Sequence, residues 1–535
     1  MHDFHCWADA QPERVAVVMA DAGTQFTAGE LARKSRDYAQ WLAAQGIEPG
    51  DTIALLLENR VEILELALAA RLAGAYVAVI STHLTAAEVS YIVLDCQAKM
   101  LFLSGKTESL AGTLNIKNKY LIDERPGGAS LRTLVNGYLA GRPAPIDLSD
   151  RPAGRDLLYS SGTTGSPKGI KKALFPPEVR QGVADPELAF WARQLSFNED
   201  TVYLSPAPLY HAAPLRTCIR VLNMGGKIVI MERFDAGKSL ALVEAYRVTH
   251  SQWVPTMFQR LLSLPAEIRG KHDLSSQKFA VHAAAPCPVH IKQAMLDWWG
   301  DILVEYYAGS ESCGATLITS EEWRRHPGSV GRAVNGKIHI LSEDGAELPP
   351  NEVGKIYFSG VAPFSYLNDP AKTQEAFNEK GWATYGDLGY LNDEGYLYLS
   401  DRRSDLIISG GVNVYPKEIE DALSPHPGVA DIAVVGIPHP DLGEQALAVV
   451  VPVAGTAPDR HLASDIVNRA AGVLSRVKIP RRLVFVEKIP RLETGKILRR
   501  KLKEEYRDIP LPGFDVNPAV QSRSQSIEPQ DRKTS

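Results

Sequence analysis

The sequence is poor in cysteine, carries little net charge and lacks long apolar runs. Its five cysteines are scattered and form no Cys-x-x-Cys pair, which argues against a disulfide framework or a zinc site and predicts a reducing, cytoplasmic environment. The net charge of −5 gives no overall basic field to attract nucleic acid or anionic lipid. No apolar run reaches membrane-spanning length, and the first residues lack the basic and apolar regions of a secretion signal. We therefore expect neither a nucleic-acid partner nor a membrane span.

The length and the residue pattern predict several α/β units. With 535 residues, 45% of them hydrophobic, the chain is too long for one core. The segment 27–30 has the capping-box pattern of a helix start. Strand-like runs at 52–57 and 75–80 flank a helical pattern at 62–73. This alternation is typical of a mostly parallel sheet with helices on its faces.

The most specific stretch follows a short apolar run at 156–159, which predicts a buried strand. Glycines there allow the backbone to approach a ligand closely, and successive N–H groups and hydroxyls can surround phosphate oxygens. A flexible surface turn is the alternative. A P-loop is excluded, because Pro167 precedes the lysine and Gly169 follows it. The residues that we expect to bind phosphate are Ser160, Ser161, Gly162, Thr163, Thr164, Gly165 and Lys168.

This stretch resembles the phosphate loop of the adenylate-forming superfamily, which includes acyl-CoA synthetases, and the resemblance extends over about residues 10–505. It implies a large N-terminal α/β domain of helix-covered sheets at 1–401. A small, mobile α+β domain at 402–510 would follow, with a hinge at Ser404. The polar composition of 511–535 predicts disorder.

The resemblance also implies the rest of an ATP site. Tyr307 would stack on adenine, and the carboxylate of Asp387 would accept hydrogen bonds from the ribose hydroxyls. Arg402 would reach the ribose and α-phosphate, and Glu311 would bind Mg²⁺. Tight packing of small residues and an Asx turn at Asp387 are the alternatives. The further nucleotide contacts would come from Ala284, Ala285, Pro286 and Ser310.

The same resemblance places an acyl pocket after the phosphate loop. It includes His211, which we also expect to act in catalysis, although a lone histidine is more often a packing residue. The segment containing Trp253 could equally belong to the core. The pocket residues expected are Tyr210, His211, Trp253, Met257, Phe258, Ala308 and Gly309. Ala308 stands where glycine is usual in the family.

Near the C-terminus, Lys496 follows Gly495 as in the catalytic lysine loop of the family. A solvated lysine in a basic run is the alternative. We expect Lys496 and Arg402 to act in catalysis, and Ser409, Gly410 and Gly411 to line the tunnel for coenzyme A.

Together these features predict an acyl-CoA synthetase. A carboxylic acid would react with ATP and Mg²⁺ to give an acyl-adenylate and pyrophosphate, and coenzyme A would then take the acyl group with release of AMP. The alternatives are transfer to a carrier-protein pantetheine, or a non-catalytic nucleotide- or acyl-binding homologue. The identity of the acid stays open, and the pattern is compatible with a homodimer.

Overall fold

The computed structural model describes residues 3–112, 114, 116, 118–125, 128–141, 144–160, 167–180, 183, 185–402, 405–409, 412–439, 442–471, 474–475, 478–492, 495–507 and 513–516.

A nine-stranded sheet is the largest element of the N-terminal part. Its six central strands are parallel, as the alternating pattern predicts, and antiparallel strands complete it at both sides. Because parallel strands place their carboxyl ends at the same edge, the loops after them converge on one face. In spatial order the strands are Arg332–Asn335, Ala315–Thr319, Leu303–Ala308, Phe279–His282, His250–Trp253, Val202–Ser205, Lys227–Ile230, Val15–Met19 and Gln25–Thr27.

A second, five-stranded sheet is entirely parallel. Three of its strands are fully buried, which explains their continuous apolar sequence. In spatial order its strands are Lys119–Leu121, Met100–Leu103, Thr52–Leu56, Tyr76–Val79 and Arg155–Asp156.

The run at 156–159 differs from its prediction as a single strand. Arg155–Asp156 closes the five-stranded sheet, whereas Leu158–Ser160 pairs with Lys168–Lys171 in a three-stranded antiparallel sheet completed by Ser365–Tyr366. Leu157 lies between the two strands and is 1% exposed. The chain thus changes sheets immediately before the glycine-rich loop.

A four-stranded antiparallel sheet precedes the small C-terminal unit, and a mixed sheet forms the core of that unit. The change from one sheet to the next falls between Arg402 and Ile407, the interval in which the hinge was expected. The first sheet contains Lys337–Leu341, Gly354–Ser359, Asp387–Leu391 and Leu397–Arg402. The second contains Val412–Val414, Ile407–Ser409, Gly443–Pro452, Arg482–Phe485 and Phe514–Asp515, with Val429–His439 paired to Gly443–Pro452.

Helices cover the sheets. The predicted capping box is present, because Thr27 Oγ1 accepts from the Glu30 N–H and Glu30 Oε2 accepts from the Thr27 N–H. The helices are Phe4–Ala10, Ala28–Ala44, Val61–Ala73, Ala86–Asp95, Leu131–Gly141, Pro186–Gln194, Ala212–Asn223, Ala236–Tyr246, Pro255–Leu262, Ala266–Arg269, Val289–Trp299, Ser320–Arg325, Pro370–Glu375, Pro416–Leu423, Arg460–Ala471 and Arg499–Glu505, with 3-10 turns at Glu108–Ala111 and Pro177–Arg180.

Among the described residues, no helix combines the length and the apolar character needed to cross a membrane.

The junction between a helix and the five-stranded sheet is tightest at Gly154. A Cβ placed on this residue would lie 2.2 Å from the carbonyl oxygen of Ala75 and 2.3 Å from that of Ala70. Since both neighbours are backbone atoms, they cannot move aside cheaply.

Gly154→Ala should therefore lower the thermal unfolding temperature, at a cost of about 1–3 kcal/mol. Gly137→Ala is the matched control, because Gly137 is helical and a Cβ there meets no atom within 4 Å. The control should raise stability by up to about 1 kcal/mol, since alanine is the better helix former. Equal melting temperatures for Gly154→Ala and the wild type would contradict the packing described here.

Candidate active site

A cavity of about 1610 Å³ lies outside the carboxyl edge of the large parallel sheet. Residues of both the N-terminal part and the C-terminal unit line it. This is larger than an ordinary pocket for one small molecule, which occupies about 300–1,000 Å³. The cavity therefore has room for more than one substrate.

One wall combines the alanine turn with Tyr307 and Asp387. Ala284 has a left-handed φ of +75°, an uncommon conformation that stores backbone strain in a loop at the cavity. The Tyr307 hydroxyl donates to Asp387 Oδ2 at 2.6 Å. Burial, and next the Asp387 charge, raise the pKa of Tyr307 well above its usual value, so the phenol stays protonated. The structure thus brings together the residues expected around the base and ribose.

Asp387 also lies beside Arg402. The two residues are paired across neighbouring antiparallel strands, Asp387–Leu391 and Leu397–Arg402. This pairing places the two expected ribose contacts next to each other in the sheet, although the Arg402 side chain lies outside the description.

Tyr366 connects the two residues expected at the phosphates. Its hydroxyl donates to Glu311 Oε1 at 2.9 Å, and Lys168 Nζ lies 5.6 Å from its ring centroid. Burial and then the charge of Lys372 lower the pKa of Lys168. Two lysines near each other make a region in which anionic oxygens are favourable. Sequence reasoning did not identify Tyr366 or Lys372, because both lie in a segment with no recognised motif.

The loop containing Glu311 is built around Gly309. A Cβ on Gly309 would lie 2.3 Å from Tyr385 Cε1 and 2.6 Å from Glu311 Oε2. Glycine is therefore the residue that allows Tyr385 and Glu311 to occupy their positions. Ala308, Gly309 and Ser310 all line the cavity.

A buried ion pair supports this loop from beneath. Arg216 donates to Asp156 Oδ2 through Nε at 3.0 Å and through Nη2 at 2.7 Å. Its Nη1 donates to the Ser310 carbonyl at 3.2 Å. The two side chains are 14% and 15% exposed. Although burial opposes ionisation, the charge of Arg216 holds the pKa of Asp156 well below its usual value. No sequence motif marked Arg216.

The residues of the expected acyl pocket separate into two groups. His211, Trp253, Ala308 and Gly309 line the cavity, although Trp253 is only 1% exposed and its indole donates to Ser251 Oγ at 2.7 Å. Met257 and Phe258 are 6% and 0% exposed and pack in the hydrophobic core. Tyr210 is also buried. The sequence predicted that these three side chains face the acyl group. In the structure they pack in the interior and do not line the cavity.

Residues that no sequence motif marked also line the cavity. They come from the ends of several parallel strands and from the helices Pro186–Gln194 and Ala212–Asn223. Some of these side chains are apolar and others are polar, and one of the polar side chains is an arginine. These lining residues are Trp191, Ala207, Thr217, Arg220, Gln252, Val281 and Tyr306.

The lysine loop of the C-terminal unit reaches the cavity. Arg491 binds Asp431 with Nε and Nη2, at 3.0 Å and 2.6 Å, and donates from Nη1 to the Gly495 carbonyl at 2.6 Å. A Cβ on Gly495 would lie 3.0 Å from Thr256 Cγ2, so the loop contacts the large domain. Lys496 lines the cavity together with Thr256.

Several expected residues lie outside the described part. These are the phosphate-loop residues Ser161, Gly162, Thr163, Thr164 and Gly165, the side chain of Ser160, the hinge residue Ser404, and Gly410 and Gly411 of the coenzyme A prediction. Ser409 is described; it is 4% exposed and is not among the lining residues of the cavity in the described ranges.

The protonation of His211 is set by its surroundings. Burial, and next the charge of His83, lower its pKa to about 4, and its Nε2 has no hydrogen-bond partner among the described residues. The imidazole is therefore neutral at pH 7. In the unfolded chain it titrates near 6.5. Between pH 6.5 and 4 the unfolded state binds more protons than the folded state, so this residue makes stability fall as the pH falls.

His211→Phe should therefore lessen the acid sensitivity of the protein. When the pH is lowered from 7.5 to 5, the free energy of unfolding of the variant should rise by about 2 kcal/mol relative to that of the wild type. Thermal unfolding of both proteins across this interval measures the difference. A stability difference that is constant between pH 7.5 and 5 would contradict the low pKa.

Arg216→Met should destabilise the protein by about 3–5 kcal/mol, because it leaves the Asp156 carboxylate buried without its partner. Replacing both residues, as Asp156→Asn with Arg216→Met, should restore part of the loss. Arg193→Met replaces an exposed arginine and is the control. Denaturant unfolding of the wild type, Asp156→Asn, Arg216→Met and the double variant measures the coupling, and strictly additive losses would show that the pair has no mutual stabilisation.

Comparison with known proteins agrees with this geometry. The family described as AMP-binding enzyme matches residues 4–365, and the AMP-binding enzyme C-terminal domain matches residues 418–496. The long-chain-fatty-acid–CoA ligase FadD13 of Mycobacterium tuberculosis is 32% identical over 93% of this chain and 97% of its own. The fatty acid–[acyl-carrier-protein] ligase ScoC of Streptomyces coeruleorubidus is 30% identical over 93% and 95%.

A solved structure gives the same result for the fold. The crystal structure of ATP-bound MatB from Rhodopseudomonas palustris has a TM-score of 0.79 and 29% identity, over 95% of this chain and 99% of that chain. The chain therefore belongs to the AMP-binding enzymes, the adenylate-forming superfamily, and within it to the AMP-forming acid–CoA ligases.

Proposed function

We propose that this enzyme activates a carboxylic acid as an acyl-adenylate and then transfers the acyl group to coenzyme A within the cavity described above. One observation carries the proposal. Lys496 of the C-terminal unit lines the same cavity as Lys168, Glu311 and the Tyr307–Asp387 pair of the large domain. The similarity to FadD13, a CoA ligase by its printed name, supports coenzyme A as acceptor.

In the first half-reaction a carboxylate oxygen attacks the α-phosphorus of ATP, and pyrophosphate leaves. Both reactants are anions, so the protein must supply positive charge and alignment. Lys168 and Lys372 would receive the pyrophosphate end, where their mutual repulsion makes an anion favourable. Lys496 would lie between the carboxylate and the α-phosphate.

The base and ribose would lie against the opposite wall. Tyr307 would offer its ring face to adenine beside the Ala284 turn, and the Asp387 carboxylate would accept from the ribose hydroxyls. Because Asp387 already accepts from Tyr307, the hydrogen bond holds the ring and the carboxylate in fixed relative positions. Arg402 would add a positive charge from the neighbouring strand.

Glu311 would hold Mg²⁺. One of its oxygens accepts from Tyr366, which orients the carboxylate at the cavity. The described residues contain no cluster of three acidic, histidine or cysteine ligands. A single carboxylate fits Mg²⁺, which binds through one or two carboxylates with water and substrate phosphates. When bound, the ion would neutralise charge on the phosphate oxygens.

In the second half-reaction the thiol of coenzyme A attacks the acyl-adenylate carbonyl, and AMP leaves. Lys496 must withdraw to make room for the thiol. The Arg491–Asp431 contact ties the lysine loop to the sheet of the C-terminal unit, so the loop would move with that unit as one body. A hinge at Ser404, with Ser409, Gly410 and Gly411 at the pantetheine, would complete this step.

A carrier-protein pantetheine is the second candidate acceptor. The similarity to ScoC, a fatty acid–[acyl-carrier-protein] ligase by its printed name, favours it. The two acceptors share the pantetheine thiol, so the first half-reaction is the same for both. A non-catalytic homologue would instead bind ATP without releasing pyrophosphate.

Lys496→Ala should slow acyl-adenylate formation about a hundredfold or more, because one well-placed charge contributes about 3–4 kcal/mol to the transition state. Thioester formation from pre-made acyl-adenylate should remain close to the wild-type rate. Lys488→Ala, an exposed lysine on the same unit, is the control. The two half-reactions are measured separately, by pyrophosphate release and by thioester formation, and an equal loss in both would contradict the two-step assignment.

The function itself is tested by pyrophosphate release with ATP and Mg²⁺ over a panel of fatty, aryl, cinnamic and steroid side-chain acids, each with and without coenzyme A. Turnover that depends on coenzyme A and yields AMP with a thioester supports the proposal. Slow release that coenzyme A does not accelerate, but that a pantetheinylated carrier protein does, would favour the second acceptor. ATP binding without release for every acid would overturn the enzymatic assignment of the cavity.

A further inference from the structure

One arginine in the wall of the main cavity forms no ion pair with any of the described residues. Arg220 follows Arg216 by four residues on the helix Ala212–Asn223, so both occupy one face. Arg216 is paired with Asp156. Arg220 lines the main cavity, and its guanidinium carbon lies 5.6 Å from the Trp191 ring centroid. Among the described residues, it makes no ion pair and donates no hydrogen bond.

The nearest carboxylates are already bound elsewhere. Arg220 also borders a small cavity of about 80 Å³ that contains Asp185 and Glu187. Glu187 Oε1 accepts from Arg155 at 3.1 Å and from Lys172 at 3.2 Å. Asp185 Oδ1 caps the helix Pro186–Gln194 by accepting two backbone N–H groups. Both carboxylates act on Arg220 from a distance and raise its pKa, but among the described residues neither forms an ion pair with the guanidinium.

A hydroxyl donor lies beside this arginine. The rings of Trp191 and Tyr306 are 5.0 Å apart, so Arg220, Trp191 and Tyr306 are contiguous. The Tyr306 oxygen accepts from Gln252 Nε2 at 2.9 Å. The Gln252 oxygen in turn accepts from Tyr203 and Thr217, which fixes the direction of the amide. The Tyr306 hydroxyl proton has no acceptor among the described residues.

Arg220 and Tyr306 are half-buried and line the cavity, so a ligand that fills this region would remove both groups from water. Burial, and next the charge of Arg216, lower the pKa of Arg220. A buried charge is normally paired, and a buried donor without an acceptor loses its hydrogen bond to water. An apolar acyl tail would leave both groups unsatisfied, whereas a carboxylate would accept from the guanidinium and the phenol together.

We propose that the Arg220–Tyr306 end of the cavity binds a second carboxylate of the substrate, so that the enzyme converts dicarboxylic acids to mono-CoA thioesters. The proposal rests on the proposed function. The activated carboxylate first displaces pyrophosphate from ATP to form the acyl-adenylate. When the C–S bond to coenzyme A forms, the C–O bond to the phosphate breaks, AMP leaves with that oxygen, and the thiol proton is released. The second carboxylate is unchanged and stays bound to Arg220. This residue therefore acts in specificity and takes no part in the bond changes.

The test compares unbranched dicarboxylic acids with monocarboxylic acids of equal chain length, and aryl diacids with aryl monoacids. At the best length, kcat/KM of the wild type for thioester formation should favour the diacid at least tenfold. Arg220→Met should lower kcat/KM for the diacid about 100-fold and leave that for the monoacid unchanged or higher. Arg220→Lys should retain part of the preference for the diacid, because lysine keeps the positive charge but lacks the paired N–H donors of the guanidinium.

Two controls separate specificity from folding. Arg193→Met, at an exposed position on the helix that contains Trp191, should retain the wild-type preference. ATP affinity of Arg220→Met, measured by calorimetry, should equal that of the wild type, because Arg220 is not among the residues proposed to bind ATP.

The outcomes distinguish the two proposals. Thioester formation from monoacids at every length, with no preference for diacids in the wild type, would overturn the second-carboxylate site and leave the ligase assignment intact. An equal loss for both acid types in Arg220→Met, with unchanged melting temperature, would also overturn it. Failure of every acid to yield AMP and a thioester would instead contradict the proposed function.

Discussion

The buried contact between Asp156 and Arg216 connects the parts of the active site. Asp156 ends a strand of the five-stranded sheet, two residues before the strand Leu158–Ser160 that leads into the glycine-rich loop. Arg216 belongs to a helix beside the nine-stranded sheet, and it also holds the Ser310 carbonyl. One guanidinium thus connects the five-stranded sheet, the helix Ala212–Asn223 and the loop that carries Glu311. A strong, buried, multidentate contact suits this position, since it fixes orientation as well as distance.

The charged side chains around the cavity are distributed unevenly, and the positive ones lie where the proposed reaction would place anionic groups. Lys168, Lys372 and Lys496 line one region and Arg220 another, whereas Asp387 and Glu311 are held by tyrosine hydroxyls. Burial lowers the pKa of Lys168 and of Arg220, so the positive charge of these two residues is disfavoured by their surroundings. Anionic substrates offset this cost on binding. The protein therefore maintains a site that is complete only with its substrates present.

The position of the lysine loop shows how two domains share one site. Arg491 and Asp431 make the loop a rigid extension of the C-terminal unit, while the close approach of Gly495 to Thr256 sets its contact with the large domain. Because Arg491 also binds the Gly495 carbonyl, the same arginine connects this contact to the sheet of the C-terminal unit.

Local sequence was sufficient for features whose partners are near in the chain. The Thr27–Glu30 capping box involves residues three apart, and the alternation of strands and helices follows from residue periodicity. The adenylate-forming motifs predicted one site for Tyr307, Asp387 and Lys496, and all three line the same cavity. Tertiary structure decided the rest.

Met257 and Phe258 are apolar residues of a helix, and only packing determined that they face the core instead of the cavity. The run at 156–159 has one apolar pattern, yet its two halves hydrogen-bond in different sheets. Arg216 and Arg220 are the same residue type one helical turn apart. Their roles differ because Asp156, 60 residues before Arg216, reaches only the first of them, and no local pattern records where a distant carboxylate will lie.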